Sequence, residues 1–346
     1  MRILLTGHDG YIGTIMSQVL AEDGHEVVGL DSGLFDGCLF GEDAPRIPAI
    51  TKDVRDVAAA DLEGFDAVVH LAAISNDPLG NLNPKCTYDI NHAASVHLAR
   101  LARDAGVERY VYSSSCSVYG AASPEDVLDE TAEFNPVTPY ATSKVMVESD
   151  LHELARDDFS PTYMRNATVY GVSPRLRGDL VVNNLVGWAF TTGRVHLKSD
   201  GTPWRPLVHV EDLCRAFAAV LDAPREHVHD EAFNVGRVDE NYRISDVAEM
   251  VERAVDGSVL SYEDGAGPDP RCYRVDFGKI AKRLPGFDPS WTVSRGVDQL
   301  LQAYREIGLR QDDLEGDRYL RIKHISRLLD EGRIDSDLRW KSAAGD

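Results

Sequence analysis

The chain lacks any apolar run long enough to cross a bilayer, which removes a helical membrane span from consideration. Cysteine is sparse. The five residues Cys38, Cys86, Cys116, Cys214 and Cys272 are scattered and odd in number, and no pair has metal-ligand spacing. A disulfide scaffold and a cysteine-based metal site are thereby excluded, and reduced, mostly buried thiols are expected. The only close histidine pair, His227 and His229, reads as an exposed turn, and no metal is expected. Lysine is scarce beside arginine, and the formal net charge is −21. Neither nucleic acid nor an anionic lipid surface is an expected partner. Internal repeats and low-complexity linkers are missing too. The N-terminus reads as a strand and not as a leader peptide, so a cytoplasmic location is expected. What remains is a hydrophobic content of 43% over 346 residues, enough for one large domain or two closely joined ones.

The rest of the chain is organised around its opening stretch. Arg2–Thr6 reads as a short buried strand that runs into Gly7-His8-Asp9-Gly10-Tyr11-Ile12-Gly13. A helical pattern follows to about Asp23, with Ile12, Ile15, Met16, Val19 and Leu20 on one face. A second apolar strand, Glu26–Leu30, ends at Asp31. Strand, glycine turn, helix, strand and acid, in that order, form a dinucleotide fingerprint. Gly7 allows a tight turn, Gly10 lets backbone N–H groups approach a pyrophosphate, and Gly13 lets the helix pack close to the sheet. The helix N-terminus suits an anion. Asp31 can hold both hydroxyls of an adenine ribose and would repel a 2′-phosphate, so NAD is favoured over NADP.

The loop Ser32–Pro48 is too long for a plain connection and is a candidate cover for cofactor or substrate. Ala49–Lys52 is a third short strand. Asp53 after it could accept from the adenine amine or cap a helix over Val54–Ala60. Ala67–Leu71 is a fourth buried strand, and the small residues Leu71-Ala72-Ala73 leave room for cofactor at its end. A long helix is expected over Tyr88–Ala105, a fifth strand over Arg109–Ser113, a helix over Pro139–Arg156 and a strand over Thr162–Arg165. This alternation predicts an α/β protein with a doubly wound parallel sheet that binds ligands at the carboxyl ends of its strands. From about Tyr170 the alternation loosens. Helices are expected at Val181–Phe190, Asp212–Leu221, Ile244–Val255 and Phe277–Leu284, with a strand at Ala232–Val235. A smaller lobe interleaved with the last strands is the expected arrangement.

Tyr140 and Lys144 stand four apart in Pro-Tyr-Ala-Thr-Ser-Lys, which on a helix puts both on one face. An ammonium near the phenol favours phenolate and lowers the tyrosine pKa. The pair can then act as general base for a hydroxyl and general acid for a carbonyl. Ser115, at the end of the preceding strand, could hold the same oxygen.

With these residues the chain resembles the extended short-chain dehydrogenases/reductases that act on nucleotide sugars. The matching stretches are Gly7–Gly13, Asp31, His70–Ala73, Tyr112–Gly120, Tyr140–Lys144, Met164–Gly171 and Arg205–Asp212. The resemblance implies a Rossmann-type domain over residues 1–169, with later strands returning from about 205–240. It also implies a smaller C-terminal α/β substrate lobe over 170–310, leaving a tail, 311–346, whose role is open. Bound NAD, a Ser115/Tyr140/Lys144 triad and a homodimer packed through the two long helices follow from the same resemblance. So does cofactor contact at Gly7, Gly10, Tyr11, Ile12, Gly13, Asp31, Asp53, Val54, Leu71, Ala72, Ala73 and Ser113.

Dehydratases of this family carry Asp-Glu after the triad serine or threonine, and decarboxylases carry a glutamate at the second position. Here Cys116 and Ser117 stand there, so dehydration and decarboxylation are disfavoured, and the stretch looks more like the 4-epimerases. A catalytic thiol at Cys116 is the weaker alternative to a buried apolar one. Thr168 stands where relatives place a sugar-diphosphate asparagine. Arg205 precedes Pro-Leu-Val-His-Val-Glu-Asp as the expected diphosphate arginine, and Arg271 is a second candidate. Arg177 and Asn183, with Arg175, surround Gly178 in a loop suited to phosphate or base contacts. The polar run Ser75-Asn76-Asp77 after the fourth strand is a sugar-facing candidate or a plain loop, and Ser117 is a further sugar-facing candidate. The expected activity is epimerisation of a nucleoside-diphosphate sugar, at C4, through a transient keto-sugar. A net oxidoreductase is the first rival and a silent NAD or nucleotide-sugar sensor the second.

Overall fold

The computed structural model describes residues 1–42, 45–75, 77–123, 125–265, 267 and 271–341. Strands Arg2–Thr6 (β1), Glu26–Asp31 (β2), Ala49–Thr51 (β3), Ala67–His70 (β4), Arg109–Ser115 (β5), Ser160–Asn166 (β6) and Glu231–Val235 (β7) form one parallel sheet. Their spatial order is β7-β6-β5-β4-β1-β2-β3. The order reverses between β1 and β4, which opens a crevice at the carboxyl ends of those two strands. Every residue of β4, and all of β1 but Arg2, is buried. Unbroken apolar runs are what a sheet covered on both faces requires.

One face is covered by Gly13–Glu22 (α1), which packs beside a later helix, Val210–Asp222. Their Met16, Leu20, Phe217 and Leu221 share a core with Ile3, Leu5 and Val69. On the other face lie Ala94–Asp104 (α2) and Pro139–Leu154 (α3), whose Leu98, Ala99, Val147 and Leu151 pack on Leu4, Val68 and Tyr110. A third core belongs to the smaller lobe. Val181–Thr192 (α4), Ile244–Ala254 (α6) and Val293–Ile307 (α7) surround it, with Val210–Asp222 counted as α5. Val186, Val247, Val251, Val297, Leu301 and Tyr304 fill it. A three-stranded sheet, with Trp204–His209 between Thr168–Tyr170 and Asn241–Arg243, joins this lobe to the main one.

Three expectations change. The helix expected over Val54–Ala60 is two single 3-10 turns, Val54–Asp56 and Ala59–Leu62. Asp61, held by Lys52 at 2.7 Å, accepts the Ala58 N–H at 2.8 Å, so the second turn has its own cap and Val57-Ala58 stay extended. The long helix expected from Tyr88 instead starts at Pro84 and includes a wide, π-type turn over Asp89–Ala93 before α2. The C-terminal tail folds back on the main domain as a helix, Arg321–Asp330 (α8), whose Ile325 and Leu328 enter the core shared by α2 and α3. No helix among the described residues is long and apolar enough to cross a membrane.

Candidate active site

Two connected hollows follow the carboxyl edge of the sheet. The first is a narrow groove lined by Gly7, Gly10, Tyr11, Ile12, Gly13, Asp31, Asp53, Val54, Leu71, Ala72 and Ala73. A dinucleotide fits it on backbone grounds. Gly7 has φ +73°, and a Cβ there would sit 2.9 Å from the Ala72 amide nitrogen. A Cβ at Gly13 would lie 2.1 Å from the Gly7 carbonyl oxygen. Only glycine lets the turn, the strand end and the start of α1 close up this far while leaving the helix N-terminus open to an anion.

Asp31 ends β2 at the far side of this groove. Its carboxylate accepts the Gly33 N–H at 3.0 Å and the Asp9 N–H at 3.3 Å. Burial raises its pKa against the pull of those bonds and of His8. Asp53 both caps the turn at Arg55 N, 2.9 Å away, and pairs with the Arg55 guanidinium. Burial works against its charge, but the Arg55 hydrogen bonds win and its pKa lies below the usual carboxylate range. Asp53 thus caps a single 3-10 turn while its carboxylate remains on the groove wall. From the long loop after Asp31, Ser32, Leu34 and Phe35 line the groove. Phe40 turns away, into the smaller lobe against Tyr304 and Tyr319.

The second hollow is wider, about 790 Å³. Ser113, Ser115, Ser117, Tyr140, Lys144 and Thr168 line one end, and Arg177, Arg205 and Arg271 line the rest, together with Ser75. Thr138 caps α3 by accepting the Ala141 N–H at 3.2 Å, and Pro139 occupies its first position. Tyr140 and Lys144 thus fall in the first two turns, facing the end of β5. The Lys144 ammonium donates to the Ser113 carbonyl at 2.6 Å and stands 5.6 Å from the centre of the Tyr140 ring. Burial pulls the Lys144 pKa down to about 7, with Glu148 acting the other way. The Tyr140 phenol is pushed up to about 12 by burial, and the Ser115 hydroxyl counteracts it. The expected lowering of the Tyr140 pKa by Lys144 is therefore absent from the polypeptide alone. Low dielectric penalises both charged forms more than one neighbour repays.

A buried pair supports the helix one turn further on. Arg165 meets Glu148 at 2.7 Å, Glu148 accepts from Ser114 at 2.5 Å, and Arg165 also donates to Tyr119 and to the Glu130 carbonyl. The cluster ties α3, β5, β6 and the turn at Tyr119 together and so fixes α3 on β5 and β6. Asn91, fully buried in the π-type turn, accepts the Ile74 N–H at 2.7 Å and donates to the Ile74 carbonyl at 3.0 Å and to Ser143 at 3.3 Å. It pins the loop after β4 to the helix that carries Tyr140.

Other predicted residues fall as follows. Arg177 stands where the two hollows meet, paired with Asp179 at 2.8 Å and donating to Ser75 at 3.2 Å. Arg205 is buried beside Tyr273 and donates to the Trp204 and Arg271 carbonyls. Arg271 pairs with Asp77 at 2.6 Å. Asn183 does not reach the cleft. It is fully buried, accepting the Gly171 N–H at 3.0 Å and donating to the Arg177 carbonyl, and its neighbour Asn184 lines the cleft instead. Asn76 lies outside the described residues. Cys116 is fully buried, its thiol donating to the Arg165 carbonyl at 3.1 Å and its pKa raised by burial, which removes it as an acid or base. Asp77, part of the polar run singled out after the fourth strand, lines the wide hollow, and Asn166, His196 and Lys198 line it without having been anticipated. Asn166 had a visible signal, a polar residue at the carboxyl end of a buried strand. Its amide donates to Ser113 at 3.0 Å, and its carbonyl oxygen has no partner.

A glycine-lined groove for a dinucleotide, opening onto a Ser/Tyr/Lys end wall and an arginine-rich cleft, defines a class of NAD-dependent enzymes that work on charged sugar derivatives. The chain belongs to the NAD dependent epimerase/dehydratase family, whose sequence profile matches residues 3–236. It is 29% identical over 322 residues to a UDP-glucose 4-epimerase of Mycolicibacterium smegmatis, covering 88% of this chain and 99% of that protein. Among solved structures it resembles MoeE5 in complex with UDP-glucuronic acid and NAD, with TM-score 0.76 and 26% identity over 88% of this chain and 99% of the other. It also resembles DesIV, a dTDP-glucose 4,6-dehydratase from Streptomyces venezuelae with NAD bound, with TM-score 0.76 and 27% identity over 90% of this chain and 100% of the other. The extended short-chain dehydrogenase/reductase resemblance and the α/β Rossmann-type fold are thereby established, and NAD is the cofactor.

Proposed function

We propose that the protein interconverts two nucleoside-diphosphate sugars by inverting C4. NAD held along the groove supplies a hydride acceptor that becomes the donor on the return step. Tyr140 takes the proton of the C4 hydroxyl as the carbinol is oxidised and returns it to the C4 oxygen when, after the sugar has turned over, hydride is accepted on the other face of the carbon. Ser115 holds that oxygen. Lys144 orients the phenol and would hold the nicotinamide ribose, and a cationic nicotinamide bound beside Tyr140 would supply the charge that favours phenolate, which burial otherwise opposes. Arg205 and Arg271, with Arg177 nearby, face the diphosphate. Thr168, Ser117 and Ser75 complete the sugar wall.

The observation that carries C4 epimerisation over dehydration is the environment after Ser115. The Cys116 thiol is sealed in the core with a raised pKa, and Ser117 is a neutral hydroxyl, so no acid stands there to expel a C6 hydroxyl. Likeness to the M. smegmatis UDP-glucose 4-epimerase supports the same choice. The homodimer reading rests on α2 and α3, which lie side by side with Met146 exposed on the outer face.

The protein as purified, incubated with UDP-glucose and UDP-glucuronate and followed by proton NMR, is expected to form the C4 epimer with no added NAD and no release of NADH. Steady NADH accumulation would instead make it a net oxidoreductase, and loss of the C6 hydroxyl would make it a dehydratase.

A further inference from the structure

The C-terminal segment walls the adenine half of the cofactor groove. Arg321, Ile325 and Leu338 line it directly. Around them the segment is fastened to the main domain. His324 donates to the Leu34 carbonyl at 2.9 Å, and Trp340 donates to the Ser32 carbonyl at 2.7 Å. The Asp337 carbonyl accepts from Arg55 at 2.8 Å, and Arg339 pairs with Asp56 at 2.6 Å. These contacts reach the loop that follows Asp31 and the turn that follows Asp53. All of this lies beyond residue 236, where the family profile ends.

One atom in the segment is unaccounted for. Arg321 is only 4% exposed, its guanidinium 4.6 Å over the Phe35 ring, with Nη2 donating to the Arg175 carbonyl at 2.8 Å. Its Nη1 is buried with no hydrogen-bond partner. Burial lowers its pKa, and Cys38 and Asp179 attract its charge while Arg177 and Arg175 oppose it. The other cations on the groove wall have carboxylate partners, Lys52 with Asp61 and Arg177 with Asp179. A buried guanidinium N–H without an acceptor, on a residue that lines a ligand groove, is costly unless a ligand supplies one.

We infer that residues 311–341 form a strap that belongs to the cofactor site, and that Arg321 Nη1 donates to the pyrophosphate of bound NAD. The chemistry selects the phosphates over the rest of the cofactor. The glycine turn and the α1 N-terminus offer only partial charge to a dianion, and Asp31 is the group suited to the ribose hydroxyls. A strap fastened on both sides of the adenosine also has to loosen before NAD can leave. Slow exchange suits an enzyme that regenerates its cofactor in place. The inference rests on reading the groove as the NAD site.

The test uses the full-length protein freed of nucleotide, with calorimetric titrations of NAD, ADP and adenosine. Arg321→Met keeps the volume and removes the donor. It is expected to weaken NAD and ADP alike by about tenfold to a hundredfold, leave adenosine unchanged and speed NAD release. Arg321→Lys is expected to recover part of the loss. NAD and ADP affinities within about twofold of the unmodified protein would overturn the inference. Hydrogen exchange on the unmodified protein covers the case in which Arg321→Met does not fold. Protection of the 311–341 amides is expected to rise more with NAD and ADP than with adenosine, and no rise, or an equal rise with all three, would overturn it as well. In Asp31→Ala both adenosine and NAD are expected to weaken. If neither does, the groove reading fails first, and the two failures are told apart.

Discussion

The groove and the cleft share Tyr11, Ile12, Leu71, Ala73, Ser75 and Arg177 as a common wall, yet they are built by opposite means. The groove is made largely of backbone and apolar side chains from the segments that follow β1, β2 and β4, with the tail residues Arg321, Ile325 and Leu338 closing one side. The cleft is made of long polar side chains from distant parts of the chain, Tyr140 on α3, Arg205 on the joining sheet and Arg271 in a later loop. A part built from local backbone accepts one shape of ligand and tolerates little change. A part built from scattered side chains can be retuned one residue at a time. The difference teaches why such proteins share a cofactor and diverge in substrate.

Substitutions should separate the two halves. Tyr140→Phe removes the phenolic proton carrier and is expected to lower turnover about 10²- to 10⁴-fold while NAD binding, read by calorimetry, stays as it was. Loss of both together would mean that the halves are not independent. Arg205→Met is expected to raise KM for the nucleotide sugar about tenfold to a hundredfold, again without touching NAD. In the reverse direction, Asp31→Asn is expected to weaken NAD about tenfold and narrow the preference over NADP, with KM for the sugar unchanged in saturating NAD.

The smallest effect concerns stability. Lys144 titrates at about 7 in the folded protein against an ordinary value of 10.5. Between those limits the unfolded chain binds more protons, so this group makes the cofactor-free protein more stable as pH rises through the window and contributes no slope below it. Denaturant melts at a series of pH values should show that slope in the unmodified protein, and Lys144→Met should flatten it.

The same division decides what could be read from the sequence. Glycine spacing, apolar strands and the acid after β2 are short-range signals, and they located the glycine turn, Asp31 and the Leu71–Ala73 side of the groove. Tyr140 and Lys144 were legible because one helix carries both. Asn183 misled because its neighbours are arginines in a loop. Only the fold shows that its amide is consumed by the Gly171 and Arg177 backbone while Asn184 faces the cleft. The Tyr140 pKa went the other way from expectation because spacing reveals the partner and not the burial. Arg321 was invisible for a different reason. It enters the groove from a tail hundreds of residues from Gly7, and no local pattern marks an amphipathic helix as a ligand wall.

The clamp at Asn91 has a mechanical consequence. A single amide grips both polar groups of the Ile74 peptide and also touches Ser143, so the floor under the cofactor and the rod bearing Tyr140 are geared to one another. Through that one side chain the backbone beneath the groove and the first turns of the helix bearing Tyr140 share a buried anchor.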